Sequence, residues 1–146
     1  MTKNKNKMKR EIKFRAKRVD NGEWVYGCLI QRIDCTEIHD GVFTWAIKPE
    51  TVGQFTGLLD KNGVEIYEGD IVHLGDKNIT YTVVWHDTGL RGKQNGSSSY
   101  VGLEHWKERI KIVGNIHDKH KQKQALIDMM RGDEEIGLYD DNTKNH

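Results

Sequence analysis

Short runs of alternating apolar and polar residues, each ended by a glycine turn, constrain the fold of this chain more than any other feature. In "IKFRAKR" (Ile12 to Arg18), Ile12, Phe14 and Ala16 alternate with Lys13, Arg15 and Lys17. In "NITYTVVWHD", Ile79, Tyr81, Val83 and Trp85 share one parity. In "RIKIVGNIHD", Ile110, Ile112 and Ile116 do the same. Period two places alternate side chains on opposite faces of a strand. The chain has 15 glycines and one proline, a composition that suits many tight turns and few rigid breaks. The expected class is therefore mainly β.

The first run predicts a half-buried strand whose outer face is basic. Asp20-Asn21-Gly22 follows as a hairpin turn, because Asn-Gly tolerates positive φ. "EWVYGCLIQRI" is apolar on both parities and predicts a central strand covered on both faces, with Cys28 as a buried free thiol. "DCTEIHDG" reads as a loop, "VFTWAIK" as a short strand, and Pro49 as a break or an edge. "TGLRGKQNGSSS" (Thr88 to Ser99) reads as a long loop, and "YVGLEHW" as a weak strand. From Asp118 to Gly132 the period changes to that of a helix, with Leu126, Ile127, Met129 and Met130 gathered near its end. Those four residues are candidate contacts to another subunit.

The densest pattern is "TGLLDKNGVEIYEGDIVHL" (Thr56 to Leu74), where Asp60, Glu65, Glu68 and Asp70 mix with Gly63 and Gly69. A calcium loop beginning at Asp60 would need a ligand at Val64 and glycine at Glu65, so cation binding is not expected. Glu65 and Glu68 fall on opposite faces of a strand, and no histidine or serine completes a proton-transfer set. Turn chemistry accounts for each residue. Asp60, Asn62 and Gly63 make a hairpin turn, "EGD" makes a second turn at Gly69, and Asp70 accepts nearby backbone N–H groups as the next strand starts.

These residues also carry a resemblance. "PETVGQFTGLLDKNGVEIYEGDIV" (Pro49 to Val72) resembles the signature block of the YopX-like proteins of phages and prophages. "MKREIKFRAKR" (Met8 to Arg18) resembles that family's opening strand, and "KIVGNIHD" (Lys111 to Asp118) its closing strand. The resemblance implies a mainly β fold with a small SH3-like barrel; together with the periodicities above, the expected fold adds N-terminal strands and a short C-terminal helix, although the Lys/Gln-rich run after Asp118 departs from the family pattern. It supplies no catalytic activity. The resulting division is a disordered basic extension over 1–7, a β domain over 8–118, a helix over 119–132 and an acidic tail over 133–146.

A net charge of +1 hides a strong asymmetry. Residues 1–18 carry nine Lys/Arg against one acid, whereas residues 132–146 carry five acids against one lysine. Oppositely charged ends favour head-to-tail pairing of subunits. The leading expectation is therefore a non-enzymatic protein-interaction module forming a homo-oligomer, with a host or phage protein as further partner. The alternative is a nucleic-acid-binding small barrel in phage DNA or RNA metabolism. Its phosphate contacts would be Lys13, Arg15, Lys17 and Arg18, with Trp24 and Trp45 as stacking partners. Cys28, Cys35 and His39 match no tight zinc spacing, and no phosphate-cradling, dinucleotide or nucleophile motif occurs. Neither a cofactor nor a membrane span is expected, and the two cysteines without a secretory signal point to the cytoplasm of the bacterial host.

Overall fold

The computed structural model describes residues 11–118. The expectations for the basic extension, for the helix with Leu126, Ile127, Met129 and Met130, and for the acidic tail lie outside the described residues.

Eleven strands form: β1 (Phe14–Lys17), β2 (Trp24–Gln31), β3 (Thr36–His39), β4 (Thr44–Ala46), β5 (Gly53–Leu59), β6 (Glu65–Tyr67), β7 (Asp70–His73), β8 (Thr80–His86), β9 (Gly89–Gln94), β10 (Tyr100–Val101) and β11 (Lys111–Asn115). Short 3-10 turns cover Pro49–Thr51 and Leu103–Trp106. The strands pair antiparallel throughout. One sheet has the order β4-β3-β2-β1-β5-β6 and the other β10-β9-β8-β7-β11, and neither closes on itself.

The turns are where the sequence places them. Gly22 adopts φ +75° in the β1–β2 hairpin, and Gly63 adopts φ +84° between β5 and β6. Asp60 organises the second of these. Its Oδ1 accepts the Asn62 and Val64 N–H groups at 2.8 and 3.0 Å, and its Oδ2 accepts the Ile112 N–H at 3.2 Å. One buried carboxylate thus holds its own turn and ties it to β11 in the other sheet. Burial opposes ionisation of Asp60, but these backbone donors outweigh it and hold the carboxyl below its usual range.

Two core clusters form. Ile66 of β6 packs with Val72, Leu74, Val83, Leu103 and Ile110 where the edge of the first sheet meets the second. Ala16, Ile38 and Ile47 pack against Phe14, Val25, Leu29, Trp45 and Val52 in the first.

Several expectations are corrected. "DCTEIHDG" contains β3, whose one fully inward residue is Ile38. "TGLRGKQNGSSS" contains β9, paired along its length with β8. β2 is interior to its sheet but not covered on both faces, since Tyr26 is 45% exposed and Cys28 is an exposed free thiol. On β8, Val83 is buried while Trp85, of the same parity, is 55% exposed near the hairpin end. Of the two readings of Pro49, the break holds: it opens the 3-10 turn between β4 and β5.

Candidate functional site

The alternation that makes β1 a strand sends Lys13, Arg15 and Lys17 to one face. That face is not open. It looks across to the second sheet, and each cation meets a carboxylate there or at the adjoining edge. Lys13 Nζ donates to Glu65 Oε2 on β6 at 2.6 Å. Arg15 Nη2 pairs with Asp70 Oδ1 at the start of β7 at 2.8 Å. Lys17 Nζ pairs with Asp118 Oδ1 and donates to the His117 carbonyl at 3.0 Å. The expected basic outer face is therefore an internal seam between the sheets. Arg15, only 6% exposed, is the clearest departure from the sequence reading.

A cleft of about 390 Å³ lies along this seam, lined among others by Arg15, Trp24, Tyr26, Tyr67, Asp70 and Asp118. The Arg15 guanidinium lies between two rings, 4.5 Å from the Trp24 centroid and 5.0 Å from that of Tyr67. Its Nε is buried without an acceptor. Trp24 Nε1 donates to Asp118 Oδ2 at 3.0 Å, and Asn115 Nδ2 donates to the same oxygen at 2.9 Å. Tyr67 donates its hydroxyl to Glu65 Oε1 at 2.9 Å, and its backbone N–H to Asp70 Oδ2 at 2.8 Å.

The ionisation states follow from these contacts. Burial pushes Asp70 above the usual carboxylate range, against the pull of Arg15 and the Tyr67 N–H. Burial also raises Asp118, but hydrogen bonds from Lys17, Trp24 and Asn115 outweigh it and hold the carboxyl well below that range. The Tyr67 hydroxyl is pushed up by burial and then by its bond to Glu65. His117 is held below the usual imidazole value by burial and by Arg15 and Lys17. Cations and carboxylates balance, and each carboxylate is already bonded. The seam acts as a clamp between sheets.

The other sequence candidates are placed elsewhere. Arg18 pairs with Asp20 and lies 3.7 Å over the Trp45 ring, away from the cleft. Asn62, Gly63 and Gly69 lie in the turns, Asp60 holds the first of these turns through its carboxylate, and Asp70 opens β7. Gly69 adopts φ +96° and donates its N–H to the Val83 carbonyl at 2.8 Å. Asp70 has the expected backbone role, and its pairing with Arg15 is additional. Glu65, Tyr67 and Asp118 escape the sequence reading, because Lys13, Arg15 and Trp24, which they meet in the seam, lie 52 or more residues away. Equal spacing of Lys13, Arg15 and Lys17 is the one available signal.

Among the described residues, no group of three His, Cys, Asp or Glu side chains stands close enough to hold a metal ion. No helix among them is long and apolar enough to cross a membrane.

Two antiparallel sheets joined along a row of ion pairs, of which Arg15–Asp70 is buried, with turn carboxylates fixing their junction, define a two-sheet β protein. The profile of the family described as YopX protein matches residues 3–122, and the chain belongs to the YopX family. No curated protein matches it significantly.

Proposed function

We propose that this chain is a non-enzymatic protein-interaction module of phage or prophage origin that self-associates in the bacterial cytoplasm. The observation that carries the reading is the β3–β4 hairpin. Asp40 accepts the Val42 and Phe43 N–H groups at 2.8 Å each and the Trp45 indole N–H at 2.9 Å. The indole bond first, then the two backbone bonds, lower the Asp40 carboxyl to about 2, so the clamp stays ionised at neutral pH. It fixes a hairpin whose tip presents Val42 (72% exposed) and Phe43 (60% exposed) to solvent. The Phe43 and Trp45 rings lie 5.6 Å apart, and Val19, 56% exposed, adjoins through its N–H bond to the Ala46 carbonyl.

Large apolar side chains held in one conformation at the surface are typical of interface anchors, because little entropy is lost when they bind. The occupant we assign is a second copy of the chain. Arg18 and Asp20 beside the patch neutralise one another, and the Asp40 carboxylate is held by three N–H donors of its own hairpin, which limits repulsion when the patch faces its own copy.

The second sheet supports the finer fold reading. A four-strand meander (β7 to β10), a 3-10 turn and a last strand returning beside the first follow the order of an SH3-like barrel, here read as an open one.

Sedimentation velocity of the full chain tests self-association. The expected mass exceeds one chain, and Val42→Ser with Phe43→Ser restores the single-chain mass while the circular dichroism spectrum is unchanged. A single-chain mass for the wild type at high concentration, or an assembly indifferent to these substitutions, refutes it.

A further inference from the structure

Free positive charge lies at the opposite pole of this chain's chemistry from the β1 seam. Among the described residues, Lys61, Lys77, Arg109 and Lys111 form no ion pair with any carboxylate. They nevertheless converge, although acids outnumber Lys and Arg sixteen to thirteen over residues 11–118. The Lys61 N–H donates to the Ile110 carbonyl at 2.8 Å, which brings the β5–β6 turn beside the segment that carries Arg109 and Lys111. Lys111 is paired in register with His73, and Lys77 lies in the turn that follows β7. The electrostatics of His73 report the same convergence. Burial lowers its affinity for a proton, and Lys61, Lys111 and Lys77 lower it further. Its Nδ1 accepts the Gly75 N–H at 3.1 Å, as a neutral ring can.

This corner is concave and has aromatic walls. A cavity of about 600 Å³ is lined by Lys61, Ile79, Tyr81, Trp106 and Arg109, with Asp76 and Glu108 as its acids. Trp106 and Tyr81 are half-buried, their inner sides packed on the core of the second sheet. Arg109 lies 5.6 Å over the Trp106 ring. Phosphates along a flexible strand need several cations at nucleotide spacing, and a base needs an aromatic plane. This corner offers several cations unpaired among the described residues and two aromatic rings, whereas Lys13, Arg15 and Lys17 are all engaged by carboxylates.

We propose that the cavity between the β7–β8 turn and the Leu103–Trp106 turn is a binding site for single-stranded nucleic acid. Lys61, Lys77, Arg109 and Lys111 contact the phosphodiester backbone, and Trp106 with Tyr81 receives a base. The site uses the second sheet and is independent of self-association through the β3–β4 hairpin.

The test is fluorescence anisotropy of the full chain with labelled oligothymidylate of about twenty nucleotides, enough to cross a small barrel. Three to four phosphate contacts on a single strand predict a loss of roughly 20- to 50-fold in affinity between about 50 and 200 mM salt. Lys61→Glu with Lys77→Glu, both exposed and outside the cores, should abolish binding at low salt while the melting temperature and sedimentation stay as in wild type. Trp106→Leu should weaken binding about fivefold or more with the salt slope unchanged, because stacking releases no counterions. Three results overturn the proposal: no anisotropy change at low salt, wild-type binding by the Lys61→Glu/Lys77→Glu chain, or equal affinity for a duplex of the same length. So does complete loss of binding when Lys3, Lys5, Lys7, Lys9 and Arg10 alone are changed to Gln.

Discussion

Replacing Asp70 by Asn removes one charge and almost no volume, so it isolates what the carboxylate contributes to the seam. Asp70 is 2% exposed and Arg15 is 6% exposed. The Tyr67 N–H keeps an acceptor in Asp70→Asn, because the amide oxygen of the new side chain can take that bond. The loss is then the ion pair itself. Arg15 cannot release its proton, and its Nε already lacks an acceptor. Among the described residues, Asp70 is the one carboxylate within ion-pair distance of it. Breaking a buried pair and leaving one partner charged costs about 3–5 kcal/mol. The Trp24 and Tyr67 rings flank the guanidinium in both proteins, so their cation–π contribution cancels in the difference while they keep the unpaired guanidinium in a favourable contact. The expected loss for Asp70→Asn is about 3 kcal/mol, at the low end of that range. Urea titration followed by tryptophan fluorescence measures it, with the midpoint falling by roughly 1–2 M. Arg15→Met with Asp70→Leu should cost less than the sum of the single changes, because neither partner is left charged. A loss under about 1 kcal/mol for Asp70→Asn, the size of an exposed pair, would refute the reasoning.

Three further outcomes follow from the geometry. Asp60→Ala removes the acceptor of three backbone N–H groups and should lower stability by about 2 kcal/mol, read from the same titration. Gly27→Ala should cost about 3 kcal/mol, more than Gly69→Ala in a thermal melt: a Cβ at Gly27 would lie 2.1 Å from the His39 carbonyl oxygen, whereas one at Gly69 meets nothing closer than 3.7 Å and only its positive φ resists. Stability should fall with pH in two stages, measured by urea midpoints across a pH series. His73 and His117 are held below their unfolded value, so stability present above about pH 6.5 declines as pH drops below it; Asp60 and Asp118 are held low too, so a steeper decline follows below about pH 4.

Local turn chemistry is legible in the sequence, and distant pairing is not. "DKNG" and "EGD" specify their backbone through residues next to one another, and both turns form as read. β9 is hidden because its buried inward position is Gly92, on which Leu103 and Val101 press so closely that a Cβ would meet them at 3.1 and 3.3 Å. No alternation of side chains can announce a strand whose core residue has none. β3 is hidden for a related reason, since Ile38 is its single buried residue among polar neighbours. Arg15 is misplaced because alternation distinguishes two faces without saying that both are covered. Ala16 packs with Ile38 and Ile47 on one side, and Arg15 meets Asp70 of the second sheet on the other. The anchor hairpin is also unread, since the Asp40 clamp joins a loop residue to Trp45 across a turn that the composition alone leaves undefined.

The division between engaged and free cations is the claim on which the site, the seam and the proposed nucleic-acid surface all depend. Amine acylation of the native full chain at low reagent, quantified lysine by lysine by mass spectrometry, tests it most directly. Lys13 and Lys17, whose side chains are 23% and 18% exposed and bonded to carboxylates, should react several-fold more slowly than Lys61 and Lys77. Equal labelling of Lys13, Lys17, Lys61 and Lys77 in the folded chain would contradict the account.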